Sequence, residues 1–256
     1  MRIFIAYAVL YLFVFIFGTV IGSFMNVVIY RVPRKISIAK GRSFCPACSH
    51  KLGAADLVPL ISWIGLRGKC RYCKAPISPR YPIVELLGGA VAVLCVALKG
   101  FTPMAAVAFC AIMILMDIAF IDADTMEIPN GLVIALAVPA IAAAFLAPQI
   151  GIVERAIGIA AISVPMLLIT LAIKGAFGGG DIKLMAAAGF LLGWKLSLLA
   201  MFFALITGGA YGVYLLAAKK KGKKDHFAFG PFLASGCAFS LLIGQVILDW
   251  YINFML

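Results

Sequence analysis

Long apolar runs recur along this chain and constrain its fold more than any other feature. Apolar residues make up 64% of the 256 residues and charged residues only 12%, and the mean hydropathy is +1.11. A soluble domain carries about 25% charged residues, and one membrane-spanning helix needs about 20 apolar residues. The sequence therefore predicts an all-α polytopic membrane protein.

We predict about eight transmembrane helices, one of which is short enough to be a tilted half-span. The segments are 4–29, 82–98, 102–121, 130–147, 153–173, 182–193, 196–217 and 229–254. Basic residues collect on the cytoplasmic side of a membrane. Eleven lie between Arg31 and Arg80 and five more within 219–224, so we expect both stretches to be cytoplasmic. The net charge of +12 then reflects topology beside a lipid bilayer, and no nucleic-acid partner is expected.

Residues 31–80 are the only long polar stretch, and they contain two C-x2-C pairs. The pairs, Cys45 with Cys48 and Cys70 with Cys73, are separated by 21 residues. This spacing is typical of a four-thiolate zinc ribbon, and thiols stay free on the reducing side of the membrane. We predict a small cytoplasmic zinc-ribbon-like domain with structural Zn²⁺. A redox dithiol, an iron–sulfur cluster and ligation by His50 are the alternatives.

Acidic residues are scarce, and several converge where predicted spans meet the cytoplasmic face. Asp117, Asp122, Asp124 and Glu127 fall within or just after the third span, and Asp181 starts the sixth span from the same side. We expect Asp122 and Asp181 to approach one another. Two carboxylates in a poorly hydrated site share a proton and form an acid–base pair. The alternatives are that Asp181 only caps a helix and that Asp122 is solvated.

Three glycines precede Asp181 in the stretch FGGGDIKLM. Gly178, Gly179 and Gly180 remove side chains that would block a substrate backbone. Glycine also permits positive φ. We predict that these three positions give a substrate access to the carboxylates.

Six sequence blocks in order resemble the type IV prepilin peptidase family, which are GxGD-type membrane aspartic proteases. The blocks are GSFMNVVIYRVPR (22–34), the two cysteine pairs, ISPRYPIVELLGG (77–89), IDADTMEIPN (121–130), GGGDIKLMAAAGFLLGW (178–194) and FGPFLASG (229–236). The resemblance runs nearly end to end. It implies domains at 1–30 (first transmembrane helix), 31–80 (zinc-binding domain) and 81–256 (transmembrane aspartyl protease core).

The resemblance implies that Asp122 and Asp181 are the catalytic pair, with Asp124 as a rival for Asp122. It implies a bacterial inner-membrane enzyme that cleaves the basic leader of type IV prepilins or type II secretion pseudopilins after Gly, at the cytoplasmic face. It further implies N-methylation of the new N-terminus with S-adenosylmethionine, although the glycine-rich nucleotide signatures of soluble enzymes are absent.

Two other classes remain open at this stage. Intramembrane carboxylates and a glycine-broken short helix also occur in transporters. A non-enzymatic scaffold for a secretion system would use the zinc-ribbon loop for docking. Cleavage of a Gly–Phe leader peptide separates the peptidase from both.

Overall fold

The computed structural model describes residues 2–218 and 227–255. The lysine-rich stretch 219–224, used above to predict topology, lies outside these residues. The described chain forms nine α-helices: α1 Arg2–Arg31, α2 Ile61–Gly65, α3 Arg80–Lys99, α4 Pro103–Thr125, α5 Asn130–Leu146, α6 Ile152–Ala172, α7 Gly179–Ala217, α8 Gly230–Phe239 and α9 Gln245–Met255. A π-helical turn, Ser240–Gly244, joins α8 to α9. The prediction of an all-helical membrane protein is confirmed.

Six helical stretches are long and apolar enough to cross a membrane. They are Phe4–Arg31, Arg80–Lys99, Pro103–Thr125, Ile152–Ala172, Gly179–Ala217 and Gly230–Met255. Helix α5 is apolar but has only 17 residues. The number of spans, about eight from the sequence, therefore stays a prediction.

The chain divides into two compact units, Met1–Ala97 and Leu98–Leu256. In the first unit, α1 packs on α3 through small residues. A Cβ on Gly18 would overlap the Gly88 carbonyl, and one on Gly22 would lie 2.8 Å from the Val84 carbonyl oxygen. Small residues four apart allow such close helix approach inside a membrane. The Asn26 side chain adds a hydrogen bond to the Tyr81 carbonyl at 3.1 Å.

The second unit contains α4–α9 and is centred on α7. Helix α7 packs most extensively on α6 and also contacts α5 and α8, while α4 contacts α5 and α8. The backbones of α6 and α7 meet at Gly158 and Gly189, where a Cβ on either residue would overlap the other's carbonyl. Gly193 interrupts α7 with φ 75° and ψ 168°. The sequence placed a break between spans 182–193 and 196–217, and the structure locates it at this glycine.

Arg155 at the start of α6 is buried, with 1% of its surface exposed. Its guanidinium donates to the backbone carbonyls of Ala143, Ala147, Ile150, Phe190 and Leu191. These carbonyls include the last turns of α5 and of the α7 half that precedes Gly193. One cation thus satisfies carbonyl groups that helix ends leave without partners.

Candidate active site and metal centre

Asp122 lies in the last turn of α4, which ends at Thr125. Met126 has a left-handed conformation (φ 55°), and its N–H donates to the Asp122 carbonyl at 2.8 Å. This αL residue closes the helix and reverses the chain toward α5. The side chain of Asp122 is 5% exposed, whereas Asp124 is exposed.

Asp181 lies in the first turn of α7, whose N-cap is Gly178. Its Oδ2 atom accepts a hydrogen bond from the Gly178 N–H at 3.1 Å, and its side chain is 9% exposed. A carboxylate at the third helical position that reaches back to the N-cap N–H stabilises the helix start. Asp181 therefore supports the helix from this position and is not itself the N-cap residue that the sequence allowed.

Both carboxylates line one cleft with a volume of about 340 Å³. The structure thus brings Asp122 and Asp181 to one cleft, as the sequence predicts. The other lining residues come from the α4–α5 turn and the start of α7: Met126, Glu127, Ile128, Asn130, Gly178, Gly179, Gly180 and Lys183. Lys183 Nζ donates to Asn130 Oδ1 at 3.1 Å and ties the two helix starts together.

Gly230 holds Asp122, and sequence reasoning did not single it out. Its N–H, at the first residue of α8, donates to Asp122 Oδ2 at 2.9 Å. A Cβ on Gly230 would lie 2.6 Å from that oxygen, so a side chain does not fit there. The available signal was the order Gly-Pro at a predicted helix start, since Pro231 favours the first turn and Gly230 allows close approach.

The two glycine donors are linked by their neighbouring aromatic residues. Phe177 precedes Gly178, and Phe229 precedes Gly230. The two phenylalanine rings contact one another, with their centroids 6.1 Å apart. The backbone segments that hold the two carboxylates are therefore joined by an aromatic contact of the kind that is favourable in protein interiors.

The three glycines before Asp181 do not share one structural reason. A Cβ on Gly180 would lie 2.8 Å from the Cβ of Ile128, and one on Gly178 would lie 3.1 Å from Asp181 Oδ2. A Cβ on Gly179 would have nothing within 4 Å. Glycine permits positive φ, but none of these three glycines adopts it; the neighbouring glycine with positive φ is Gly175 (82°).

Asp117 and Asp124, the other acidic residues of α4, are not among the residues that line the cleft. Asp117 is 1% exposed, and its Oδ1 atom makes no hydrogen bond within the described residues. The structure therefore separates Asp122 from both neighbours by position in the cleft, and from Asp124 also by burial.

The four cysteines of the polar loop come together in two similar turns. Cys45 N–H donates to the His50 carbonyl and Cys70 N–H to the Ala75 carbonyl, at 3.0 and 2.8 Å. Antiparallel bridges, Phe44↔Lys51 and Lys69↔Pro76, close the two turns. All four thiols are free, and their sulfur atoms lie within 4.8 Å of one another.

This arrangement fits a tetrahedral metal ion. Four sulfurs at the usual Zn–S distance of 2.3 Å are about 3.8 Å apart, and Cys45 Sγ lies 3.9 Å from Cys73 Sγ. Hydrogen bonds, first from the Cys73 N–H and then from the Tyr72 N–H, lower the pKa of the Cys70 thiol to about 7. The pKa of the Cys48 thiol is raised to about 11, because the lowering by the His50 N–H is outweighed by desolvation and by the neighbouring Cys73 and Cys45 thiols. A thiolate is the form that binds metal. The Cys45, Cys48, Cys70 and Cys73 cluster could therefore bind zinc.

His50 has a different role from the metal ligation considered above. Its ring stacks on Tyr72, with centroids 3.6 Å apart, and the ligand group found in the described residues consists of the four thiols. The Tyr72 hydroxyl donates to Asp56 Oδ2, and Arg71 donates to Asp56 Oδ1 at 2.6 Å. The Arg71 guanidinium holds the pKa of Asp56 below its usual range. These contacts link the two cysteine turns.

The fold and the site together define a class: a polytopic helical membrane protein with two buried aspartates in one cleft and a four-cysteine loop. Two family models match the chain: "Bacterial Peptidase A24 N-terminal domain" over residues 16–99 and "Type IV leader peptidase family" over residues 107–213. Curated relatives match over most of their length, and the chain belongs to the type IV leader peptidase family.

Three of these relatives carry the name "Prepilin leader peptidase/N-methyltransferase". That of Aeromonas hydrophila is 32% identical and covers 94% of this chain and 94% of the relative. That of Bacillus subtilis (strain 168) is 33% identical, with 94% and 98% covered, and that of Legionella pneumophila is 30% identical, with 96% and 95% covered. No solved structure matches the chain significantly. The family predicted from the sequence, and with it an enzyme of the peptidase and methyltransferase class, is confirmed.

Proposed function

We propose that this protein is a membrane-embedded aspartic endopeptidase that uses Asp122 and Asp181 to remove the basic leader of type IV prepilins or type II secretion pseudopilins. The observation that carries the proposal is the single cleft lined by both carboxylates, each held by a glycine N–H. The names of the relatives supply the substrate class.

The geometry suits water activation on an amide. Each glycine N–H binds an Oδ2 atom, which leaves the Oδ1 atom of each carboxylate for a water or a substrate. One carboxylate is ionised and removes a proton from the attacking water, while its protonated partner donates its proton to the amide oxygen. The first carboxyl then passes the water-derived proton to the leaving nitrogen, and the partner recovers its proton from the diol oxygen as the C–N bond breaks. Gly178, Gly179 and Gly180 keep the approach to the cleft open for a substrate backbone.

The chemistry of the substrate fits a cleft at helix ends. A prepilin has a short basic leader followed by a long apolar helix, so its scissile bond, after Gly, lies at the membrane surface. Asp122 ends one spanning helix and Asp181 begins another. We propose that this surface is the cytoplasmic face of the bacterial inner membrane, because the loop 31–80 is strongly basic.

The test is cleavage of a prepilin leader peptide by purified protein. Asp122→Asn and Asp181→Asn each lose at least about 10²-fold in kcat, because each removes one member of an acid–base pair. Asp124→Asn and Asp117→Asn are the matched controls and retain a substantial fraction of the activity. Asparagine keeps the side-chain shape and can still accept the glycine N–H, which separates catalysis from helix capping. Full activity of Asp181→Asn contradicts the proposal. An inactive Asp124→Asn protein together with an active Asp122→Asn protein would assign the first catalytic carboxylate to Asp124 instead of Asp122.

We further propose that the protein N-methylates the new N-terminus with S-adenosylmethionine, and that Zn²⁺ on the four cysteines stabilises the loop 31–80. The N-methyltransferase part of the relatives' names supports methylation. Nothing in the described part of the chain identifies the residues that hold S-adenosylmethionine, and we assign none. Asp181→Asn given pre-cleaved pilin should still methylate it; joint loss of both activities with an intact fold would contradict separate sites.

A further inference from the structure

The short helix α2 exposes large apolar side chains although it belongs to the polar loop. Ile61 is 70% exposed and Ile64 is 66% exposed. Leu57 and Val58, just before the helix, are exposed as well. We call these four residues the α2 apolar edge. A group of exposed aliphatic side chains in an otherwise polar segment marks a contact surface for an apolar partner.

A hydrogen bond fixes the position of this edge along the axis of α3, a long apolar helix of the same unit. The Leu60 N–H, at the N-cap of α2, donates to Glu85 Oε2 at 2.8 Å. Helix α3 begins at Arg80, so Glu85 lies about 7.5 Å further along its axis at 1.5 Å per residue. Near that level α3 itself exposes Ile83, Leu86 and Leu87. The hydrogen bond therefore places the start of α2 at a level of α3 where α3 also exposes apolar side chains.

The same hydrogen bond explains why an apolar helix carries a carboxylate. The first N–H groups of a helix have no partner within it, and an unsatisfied group is costly where water is scarce. Glu85 supplies the acceptor and is itself buried. A helix start surrounded by bulk water would need no such acceptor. The contact fits an α2 that lies at the bilayer boundary.

The charge of the loop agrees with a lipid surface as the partner. Between Arg31 and Arg80 there are eleven basic residues and a single acidic residue, Asp56, which is paired with Arg71. Basic residues beside a membrane are attracted to anionic headgroups. Interfacial helices bury their apolar face about 5–10 Å into the boundary between headgroups and acyl chains.

We propose that the α2 apolar edge inserts into the headgroup–acyl boundary of an anionic bilayer and anchors the four-cysteine loop to the membrane surface. Glu85 is the positioning residue for this anchor. The proposal does not depend on the peptidase or methyltransferase activity, and it concerns only residues of the first unit.

The test places an encoded fluorescent amino acid at Ile64 of the full-length protein, reconstituted in vesicles of phosphatidylcholine and phosphatidylglycerol. A matched control carries the same probe at Lys51, an exposed polar position of the same loop. Lipid with a nitroxide near the top of the acyl chain should quench the probe at 64 about threefold more than the probe at 51, and aqueous iodide should do the reverse. Far-UV circular dichroism and a monodisperse gel-filtration profile in detergent establish that each labelled protein is folded.

Two further arms keep the result decisive. The probe at Ile61 repeats the measurement, so that one disturbed position does not decide the outcome. Glu85→Leu with the probe at 64 should raise iodide quenching, because the Leu60 N–H loses its acceptor. Equal nitroxide quenching at 64 and 51 overturns the anchor. Shielding of 61 and 64 from both quenchers also overturns it, since a protein surface then covers the edge.

Discussion

Replacing Gly230 by alanine is the sharpest perturbation of the proposed active site, because it moves one carboxylate without removing it. The added Cβ would lie 2.6 Å from Asp122 Oδ2, whereas ordinary contact begins at 3.4 Å, so the two groups must separate by about 0.8 Å. Backbone of α8 stands on one side and the short Asp122 side chain on the other, and neither is a flexible chain end. The hydrogen bond of 2.9 Å from the Gly230 N–H is then stretched or lost.

The expected effect falls on kcat. A displacement of about 1 Å in a catalytic group costs about 10²-fold in rate, which is about 2.7 kcal/mol in the activation free energy at 1.36 kcal/mol per tenfold. KM should change little, because the other residues that line the cleft remain. The assay is cleavage of a leader peptide under saturating and subsaturating substrate, with methylation of pre-cleaved pilin as the check on folding.

Gly209→Ala is the matched control, because a Cβ at this helical position meets nothing within 4 Å. It should leave both kinetic constants unchanged. A Gly230→Ala protein whose kcat is within about threefold of the parent would refute the reasoning that a sub-ångström shift of Asp122 matters. Loss of methylation together with cleavage, accompanied by a lowered unfolding midpoint, would instead mean that the substitution disrupts the fold.

Three further outcomes are expected. Phe177→Ala and Phe229→Ala should each lower kcat. Because each removes the same ring contact, the double variant should lose much less than the product of the single losses, and strictly multiplicative losses would contradict a shared positioning role. Phe177→Leu should restore part of the rate that Phe177→Ala loses. Purified protein should contain one Zn²⁺ per chain by elemental analysis, and chelation should increase protease sensitivity within 31–80. Less than about a tenth of an equivalent of zinc, with iron also absent, would contradict the metal site. A full equivalent of iron would indicate an iron–sulfur cluster instead. Arg155→Leu should lower the free energy of unfolding by at least about 3 kcal/mol in reversible denaturant unfolding, because several buried carbonyls lose their donor. The free energy of unfolding of Arg155→Lys should lie between those of the parent and Arg155→Leu. An unchanged unfolding midpoint for Arg155→Leu would contradict a stabilising role of Arg155.

The sequence was sufficient for the helical membrane class, for the meeting of Asp122 and Asp181, and for the four-cysteine cluster. Each of these depends on a local pattern: apolar run length, a carboxylate at a helix end, or paired cysteine spacing. The topology then brings distant patterns together, because helix ends on the same side of the membrane lie near one another. The catalytic role of the two aspartates and the identity of the metal stay predictions.

The sequence did not reveal the partners of the buried polar side chains. Arg155 is buried among helix ends, and nothing in the sequence around it indicates the carbonyl groups to which it donates. The donor to Asp122 is a backbone N–H, and a backbone group leaves no residue-type signal in a sequence. The same is true of the Leu60 N–H that binds Glu85. Such contacts depend on how separate elements pack, which residue types alone do not determine.

These partners follow one rule that bears on the chemistry of the cleft. Glu85, Asp122 and Asp181 each accept from a backbone N–H at the start of a helix, and Arg155 donates to carbonyls that include the last turns of helices. Anions are thus matched to the positive ends of helix dipoles and the cation to negative ends. Within the described residues neither Asp122 nor Asp181 forms an ion pair with a basic side chain, and the one lysine of the cleft donates to Asn130 instead. A bound lysine or arginine would hold both carboxylates as anions, whereas neutral N–H donors orient them and leave the pair able to share the proton that amide hydrolysis needs.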